Sequence, residues 1–251
     1  LEQTGHLLRP DGIRLAWSHL PGKAPTIVFL PGFHSDMSGS KALSVLDFCR
    51  ATGQAMLRLD YSGHGESGGA FEDGCIGQWT EDARAIIEHR LDGPMILVGS
   101  SMGGWIALLL TRAFGARVAA LVGIAAAPDF TETLMWQSMA PIEQKVLMEA
   151  GKISVPSEYG TPLVITRHLI EDGRAHLVLG EPIALDAPVR LLQGQRDPDV
   201  PWETALKLAS CLTTEDVQVI LLKDGDHRLS RPGDLALLNR TLAALLGKDG
   251  S

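Results

Sequence analysis

The sequence predicts an α/β protein built on a mostly parallel, doubly wound sheet. Three observations point there. Short apolar runs without alternation ("PTIVFLPG", "AMLRLDY", "PMILVGS", "VAALVGIAAA", "VRLLQG", "VQVILLKDG") suit strands covered on both faces. Stretches with apolar residues three and four apart separate most of these runs, so strand and helix alternate. The chain has 251 residues, 45% of them hydrophobic, enough to bury one full core, and residues 1–251 are expected to form a single domain.

Taken in order, the N-terminus reads as a hairpin, because residues alternate on either side of Asp11-Gly12, a dipeptide suited to a tight turn. Helical spacing follows over Lys41–Ala51 and Gln78–Leu91. A third helix, Trp105–Phe114, stops at Gly115, a natural C-cap. Pro201 opens another helix where its missing N–H costs nothing. Leu235, Leu238, Leu242 and Leu245 stripe the last. The alternation breaks between Pro128 and Pro188. There the chain offers two helical patterns, "LMWQSMAPIEQKVLMEA" and "PLVITRHLIEDG", and no strand-like run of comparable strength. Residues 128–188 are therefore expected to be a small helical lid, inserted before the strand at 189–193.

Charge and composition exclude several function classes. The formal charge of −8, with no basic run, argues against a nucleic-acid partner. The longest apolar stretches, such as Val118–Ala127, fall far short of the roughly 20 residues of a membrane span. The start, "LEQTGHLLRPDG", lacks the cationic and apolar blocks of a secretory signal. Cys49, Cys75 and Cys211 are widely spaced and form no C-x-x-C pair, so they read as reduced thiols and favour a cytoplasmic protein. A first residue of Leu is also compatible with a removed organellar transit peptide.

The chemistry concentrates in "LVGSSMGGWIALLL", where Gly99-Ser100-Ser101-Met102-Gly103 matches G-x-S-x-G between a strand and a helix. Such a turn closes only if its neighbours lack bulk, and it lifts the serine above the strand ends. The pattern alone is weak. Gly65-Glu66-Ser67-Gly68-Gly69 matches it too, and Gly63–Gly68 fits G-x-G-x-x-G, but a loop follows that segment and not a helix, so no cofactor is expected there. A serine hydroxyl needs a base within hydrogen-bond reach, itself oriented by a carboxylate. Asp197 follows the strand 189–193 and His227 follows the strand 217–222, so nucleophile, acid and base occur in the order Ser, Asp, His, each at a strand C-terminal end. Asp199 reads as a helix-entry residue, Asp226 adjoins the histidine in sequence, and His34 and His64 precede the serine. Two backbone N–H groups should form an oxyanion hole, from Met102 and from Phe33 in the loop after "TIVFL".

These segments ("LPGF", "DYSGHGES", "GSSMGGW", "GQRDPDVP", "DGDHR") resemble the α/β-hydrolase superfamily from about Thr26 to Leu246. "LPGFHSDMSGSKAL" and "RLLQGQRDPDVPW" resemble its subfamily of mitochondrial palmitoyl-protein thioesterases that also cleave an acyl-glucuronide. The resemblance implies the same roles for Ser101, Asp197 and His227, and for Phe33 and Met102. The expected function is a serine hydrolase of carboxylic esters or thioesters, acting on a small-molecule or acylated substrate without metal or cofactor. The alternatives are a C–C bond hydrolase on a diketone with a similar triad, and a non-catalytic scaffold that binds a small ligand. Met135, Trp136 and Met139 fall on one helical face of the lid, which either packs the lid onto the body or lines the acyl pocket.

Overall fold

The computed structural model describes residues 1–155 and 162–247. The strands are β1 (Gln3–Leu8), β2 (Arg14–Leu20), β3 (Lys23–Leu30), β4 (Gln54–Leu59), β5 (Met95–Ser100) and β6 (Val118–Ile124), then β7 (Lys152–Val155), β8 (Leu163–Thr166), β9 (Val189–Gly194) and β10 (Val217–Leu222). The helices are α1 (Ser40–Thr52), α2 (Ile76–Arg90), α3 (Met102–Phe114), α4 (Pro141–Ala150), α5 (Arg167–Ala175), α6 (Glu203–Cys211) and α7 (Pro232–Leu245). The main sheet has the order β1-β2-β4-β3-β5-β6-β9-β10. Only β2 runs antiparallel to its neighbours β1 and β4.

Both faces of this sheet are covered, as the unbroken apolar runs require. On one side α2, α3 and α6 share a cluster of buried side chains with Leu97, Leu121 and Leu191. On the other, α1 and α7 pack on Ile96, Val122 and Leu192. Successive strand residues thus feed opposite clusters, and each fully buried Leu or Ile contributes roughly 1.5–3 kcal/mol. Helix α3 is buried on nearly every side from Met102 to Thr111, which explains why its sequence is apolar all round. It ends at Gly115, whose φ of 48° lies where a side chain is rarely tolerated.

The segment between β6 and β9 departs from the purely helical lid expected from sequence. Helices α4 and α5 are present, but β7 and β8 pair as antiparallel strands, and residues 156–161 of the insertion lie outside the described residues. "PLVITRHLIEDG" begins as a strand and becomes a helix only at Arg167, where the Thr166 side chain accepts from the Leu169 N–H as a cap. The β-branched Val164 and Ile165 favour the strand side of that boundary. Residues Thr131–Ser138 form irregular helical turns and not one α-helix. Likewise α6 begins at Glu203, with Pro201 accepting from the Thr204 N–H in the preceding turn.

Within this cap the Asp129 carboxylate accepts from the Val178 and Leu179 N–H groups, joining its two ends. Polar contacts also tie the cap to the body: the Trp105 indole N–H donates to the His176 carbonyl. Asp172 accepts from the Gly77 N–H, and Lys152 pairs with Glu72. The close approach of α3 to β3 is a tight constraint. A Cβ on Gly103 would lie 2.1 Å from the Leu30 carbonyl oxygen, whereas one on Gly93 would meet nothing within 4 Å. Gly103→Ala should therefore destabilise the protein by about 1–3 kcal/mol, and Gly93→Ala should stay within roughly 0.5 kcal/mol of the wild type. Urea unfolding of the two variants measures the difference.

Candidate active site

The strand order fixes the site before any side chain is considered. Strands β5, β9 and β10 lie in the parallel part of one sheet, so the residues that follow them emerge at the same edge. Ser101 follows β5 directly with φ 53° and ψ −119°, a strained conformation for a non-glycine residue that costs on the order of 1–3 kcal/mol. Its surroundings over-determine that conformation. The Ser101 N–H donates to the Ile124 carbonyl, and its own carbonyl accepts from Gly104 and Ala127. A Cβ on Gly99 would lie 2.2 Å from the Gly103 carbonyl oxygen, and one on Gly104 would lie 2.6 Å from the Ala126 Cβ. The turn closes because these residues are glycine.

The structure brings Ser101, His227 and Asp197 together. His227 Nε2 lies 3.1 Å from Ser101 Oγ, and His227 Nδ1 lies 2.8 Å from Asp197 Oδ2. The Asp197 side chain is fully buried, while the His227 side chain remains 20% exposed. Burial alone would raise the Asp197 carboxyl. The hydrogen bond and charge of His227 and the N–H groups of Val200 and Asp199 outweigh it and hold the group below its ordinary value. Asp197 Oδ1 takes both N–H groups at 2.9 Å, and Gln193 Nε2 donates to Oδ2 at 3.0 Å.

The competing residues have other partners. Ser67 Oγ donates to the Asp60 carbonyl and accepts from the Ala16 N–H, so its hydroxyl is consumed in the turn. Asp226 accepts from the Leu229 N–H, and Asp199 is exposed. His34 stacks on Phe71 with ring centroids 3.6 Å apart. His64 is buried among Tyr61, Phe71 and Trp79. That burial pushes its ring down to about 4, so it stays neutral.

"DYSGHGES" is a structural clasp for the loop after β3. Tyr61 donates to the Pro31 carbonyl, and the Asp60 carboxylate accepts from the Met37 and Glu66 N–H groups. The clasped loop passes so near the serine turn that a Cβ on Gly32 would lie 3.3 Å from Ser101 Cβ. No hydrogen bond among the described residues uses the N–H of Phe33 or of Met102. Phe33 itself sits edge-on to Phe71, Trp79 and Phe130. That aromatic box was not visible in the sequence, because its members come from four separate segments.

Of the three cap residues singled out from sequence, Met139 is buried inside the cap with Leu147, Ile165 and Ile170. Trp136 lies beneath the Arg174 guanidinium at 4.5 Å. Met135 packs against both the cap cluster and the main core. The three sit on irregular turns and not on one continuous helix, yet all of them meet the same cap cluster. Asp197, Asp199 and His227 also present ligand atoms within 4.8 Å of one another. The His227–Asp197 bond already occupies one atom of two of these three residues, and Asp199 is exposed.

Fold and site together define a hydrolase of the α/β-hydrolase class. The family model described as "Serine aminopeptidase, S33" matches residues 23–168, and the chain belongs to that family. Human "Palmitoyl-protein thioesterase ABHD10, mitochondrial" is 41% identical over 244 residues, 96% of this chain and 79% of the relative. The bovine protein of the same name is 42% identical over 245 residues, with the same shares covered. Among solved structures, a putative hydrolase from Agrobacterium vitis superposes with a TM-score of 0.93 at 42% identity, covering 98% of this chain and 99% of that one. Mouse "Alpha/beta hydrolase domain-containing protein 10" gives 0.91 at 38% identity, covering 99% and 100%. The protein is thus an ester or thioester hydrolase. The cytoplasmic location expected from the cysteines is overturned by these relatives, which are named as mitochondrial. Thiols such as Cys75 and Cys211 report only a reducing environment, not which compartment supplies it. No helix among the described residues is long and apolar enough to cross a membrane.

The lowered Asp197 carboxyl makes a pH prediction. A group held below its unfolded value contributes stability above that value, about 3.9, and loses it as pH falls through the folded value. The unfolding free-energy gap between wild type and Asp197→Asn should be flat above about pH 5 and shrink below about pH 4. Denaturant titrations of both proteins across that range measure it.

Proposed function

We propose that the chain hydrolyses acyl thioesters and esters through an acyl-enzyme on Ser101. The observation that carries this reading is the unbroken relay from Ser101 Oγ through His227 to Asp197, at 3.1 and 2.8 Å. Ser101 Oγ attacks the acyl carbonyl carbon as its proton passes to His227 Nε2. Negative charge develops on the carbonyl oxygen, within reach of the free N–H groups of Phe33 and Met102. The C–S or C–O bond then breaks, and His227 returns the proton to the leaving thiol or alcohol. Water, deprotonated by the same histidine, releases the acid and restores the serine. Asp197 stays ionised throughout, orienting the ring and stabilising the imidazolium.

The thioesterase names of the relatives favour a fatty acyl thioester over a short ester. We place the cap, residues 128–188, as a lid beside the site, since Phe130 at its start contacts Phe33 with ring centroids 5.5 Å apart. Met135, shared between cap and core, is our candidate for the acyl-pocket wall, where a flexible thioether adapts to an alkyl chain. Met139 and Trp136 serve the cap's own packing.

Kinetics with acyl thioesters, p-nitrophenyl esters of graded chain length, a diketone and an aminoacyl anilide test the reading. Thioesters and esters should turn over, and the diketone and anilide should not. Asp197→Asn should lose on the order of 10⁴-fold in kcat, as the matching change does in serine protease triads, while Asp199→Asn stays near wild type. Equal modest losses in both would assign the acid elsewhere. Met135→Ala should flatten the chain-length profile, since each buried CH₂ is worth up to roughly 0.8 kcal/mol. An unchanged profile removes Met135 from the pocket.

A further inference from the structure

Strand β9 contains one residue that its packing does not call for. Val189, Leu191 and Gln193 alternate onto the same face of the sheet, and the first two enter the apolar cluster under α3 and α6. By that pattern position 193 should be apolar too. It is a glutamine instead, 1% exposed, and its Oε1 has no hydrogen-bond partner among the described residues. A buried amide with an unsatisfied carbonyl is unfavourable, and an apolar side chain of similar size would avoid the cost. The other half of the amide is fully engaged. Nε2 lies 3.0 Å from Asp197 Oδ2, 3.2 Å from the Val200 carbonyl and 3.3 Å from the Gly194 carbonyl. All three partners are acceptors, which fixes the orientation of the amide.

From this we infer that Gln193 is a positioning residue for the reaction: its amide N–H groups hold the Asp197 carboxylate in place and keep it ionised. The inference rests on the triad proposed above. Gln193 and His227 donate to the same oxygen, Oδ2, while the Asp199 and Val200 N–H groups donate to Oδ1. Four donors saturate the acceptor sites of an ionised carboxylate. The second N–H of Gln193 reaches the Val200 carbonyl, so the same side chain also pins the turn that carries Asp197. Rotation of the carboxylate is thereby blocked from both sides. An anion with all its acceptor sites filled binds a proton poorly, so Asp197 does not take the His227 proton when the imidazolium forms.

Gln193→Met removes the donor and keeps the length and apolar fit. Activity is to be measured on a p-nitrophenyl ester and normalised to the serine reactive toward a fluorophosphonate, so that misfolded protein does not count. Loss of an outer partner that orients a catalytic group costs about 10-fold or more. We expect kcat to fall by that factor with KM unchanged. The acid limb of the pH–rate profile should move to higher pH, because a carboxylate with one donor fewer holds a proton better. Gln193→Glu sets a second carboxyl against Asp197 and should lose more. Thermal stability of Gln193→Met should match or exceed the wild type. A kcat within twofold of wild type, or a lower kcat with the acid limb unmoved, overturns the inference. Asp197→Asn run alongside separates the two readings. If it is inactive and Gln193→Met is normal, only the role of Gln193 fails; if it is active, the triad itself fails.

Discussion

The backbone turn at Ser101 is the constraint on which the rest of the protein depends. A residue at φ 53° and ψ −119° persists only if its neighbours leave it no alternative. Here β5 and α3 must approach until Gly99 and Gly103 nearly touch, and α3 must lie against the end of β3. That packing demands an apolar helix buried from Met102 to Thr111, a sheet covered on both faces, and glycine wherever backbones meet. It also sets the loop after β3 beside Ser101. The turn therefore determines where a hydroxyl, two N–H groups and the strand ends that carry His227 and Asp197 can converge.

Around this turn the protein arranges donors for two negative charges. One is permanent, the Asp197 carboxylate, fully buried yet held ionised by His227, Gln193 and two backbone N–H groups. The other is transient, the oxyanion expected near the N–H groups of Phe33 and Met102. Both rely on donors fixed before reaction, which do not have to reorganise as charge moves. The loop that carries Phe33 is braced by Tyr61 and Asp60 from below and by the aromatic box above. The cap extends this brace, since Phe130 meets both Phe33 and Trp105.

The sequence made much of this legible where chemistry and geometry share a local signal. The parallel strands of the main sheet read directly from their apolar runs, and β1 and β2 from the alternation around Asp11-Gly12. The places of Ser101, Asp197 and His227 after β5, β9 and β10 marked them as candidates, and the fold sets them within hydrogen-bond distance. Signals failed where long-range packing decides. Leu163–Thr166 resembles the start of a helix by spacing, yet it pairs with Lys152–Val155. Thr131–Ser138 has a helical apolar spacing but winds irregularly where Asp129 takes a positive φ and binds Val178 and Leu179 far along the chain. Gln193 passed as a strand residue in "VRLLQG", because nothing local marks the carboxylate it meets. The cysteines carried a compartment expectation that their chemistry could not support.

A serine-centred acyl transfer from a thioester makes one species that a non-catalytic scaffold cannot provide: the thioester's acyl group covalently held on Ser101 during turnover. Rapid quenching of the enzyme with excess long-chain acyl thioester, followed by peptide mass spectrometry, detects it. The acyl adduct should form on the peptide containing Ser101 before steady state and disappear when substrate is exhausted. Turnover with no adduct there, or an adduct on Ser67, Cys75 or Cys211 that decays at the turnover rate, would contradict the assignment.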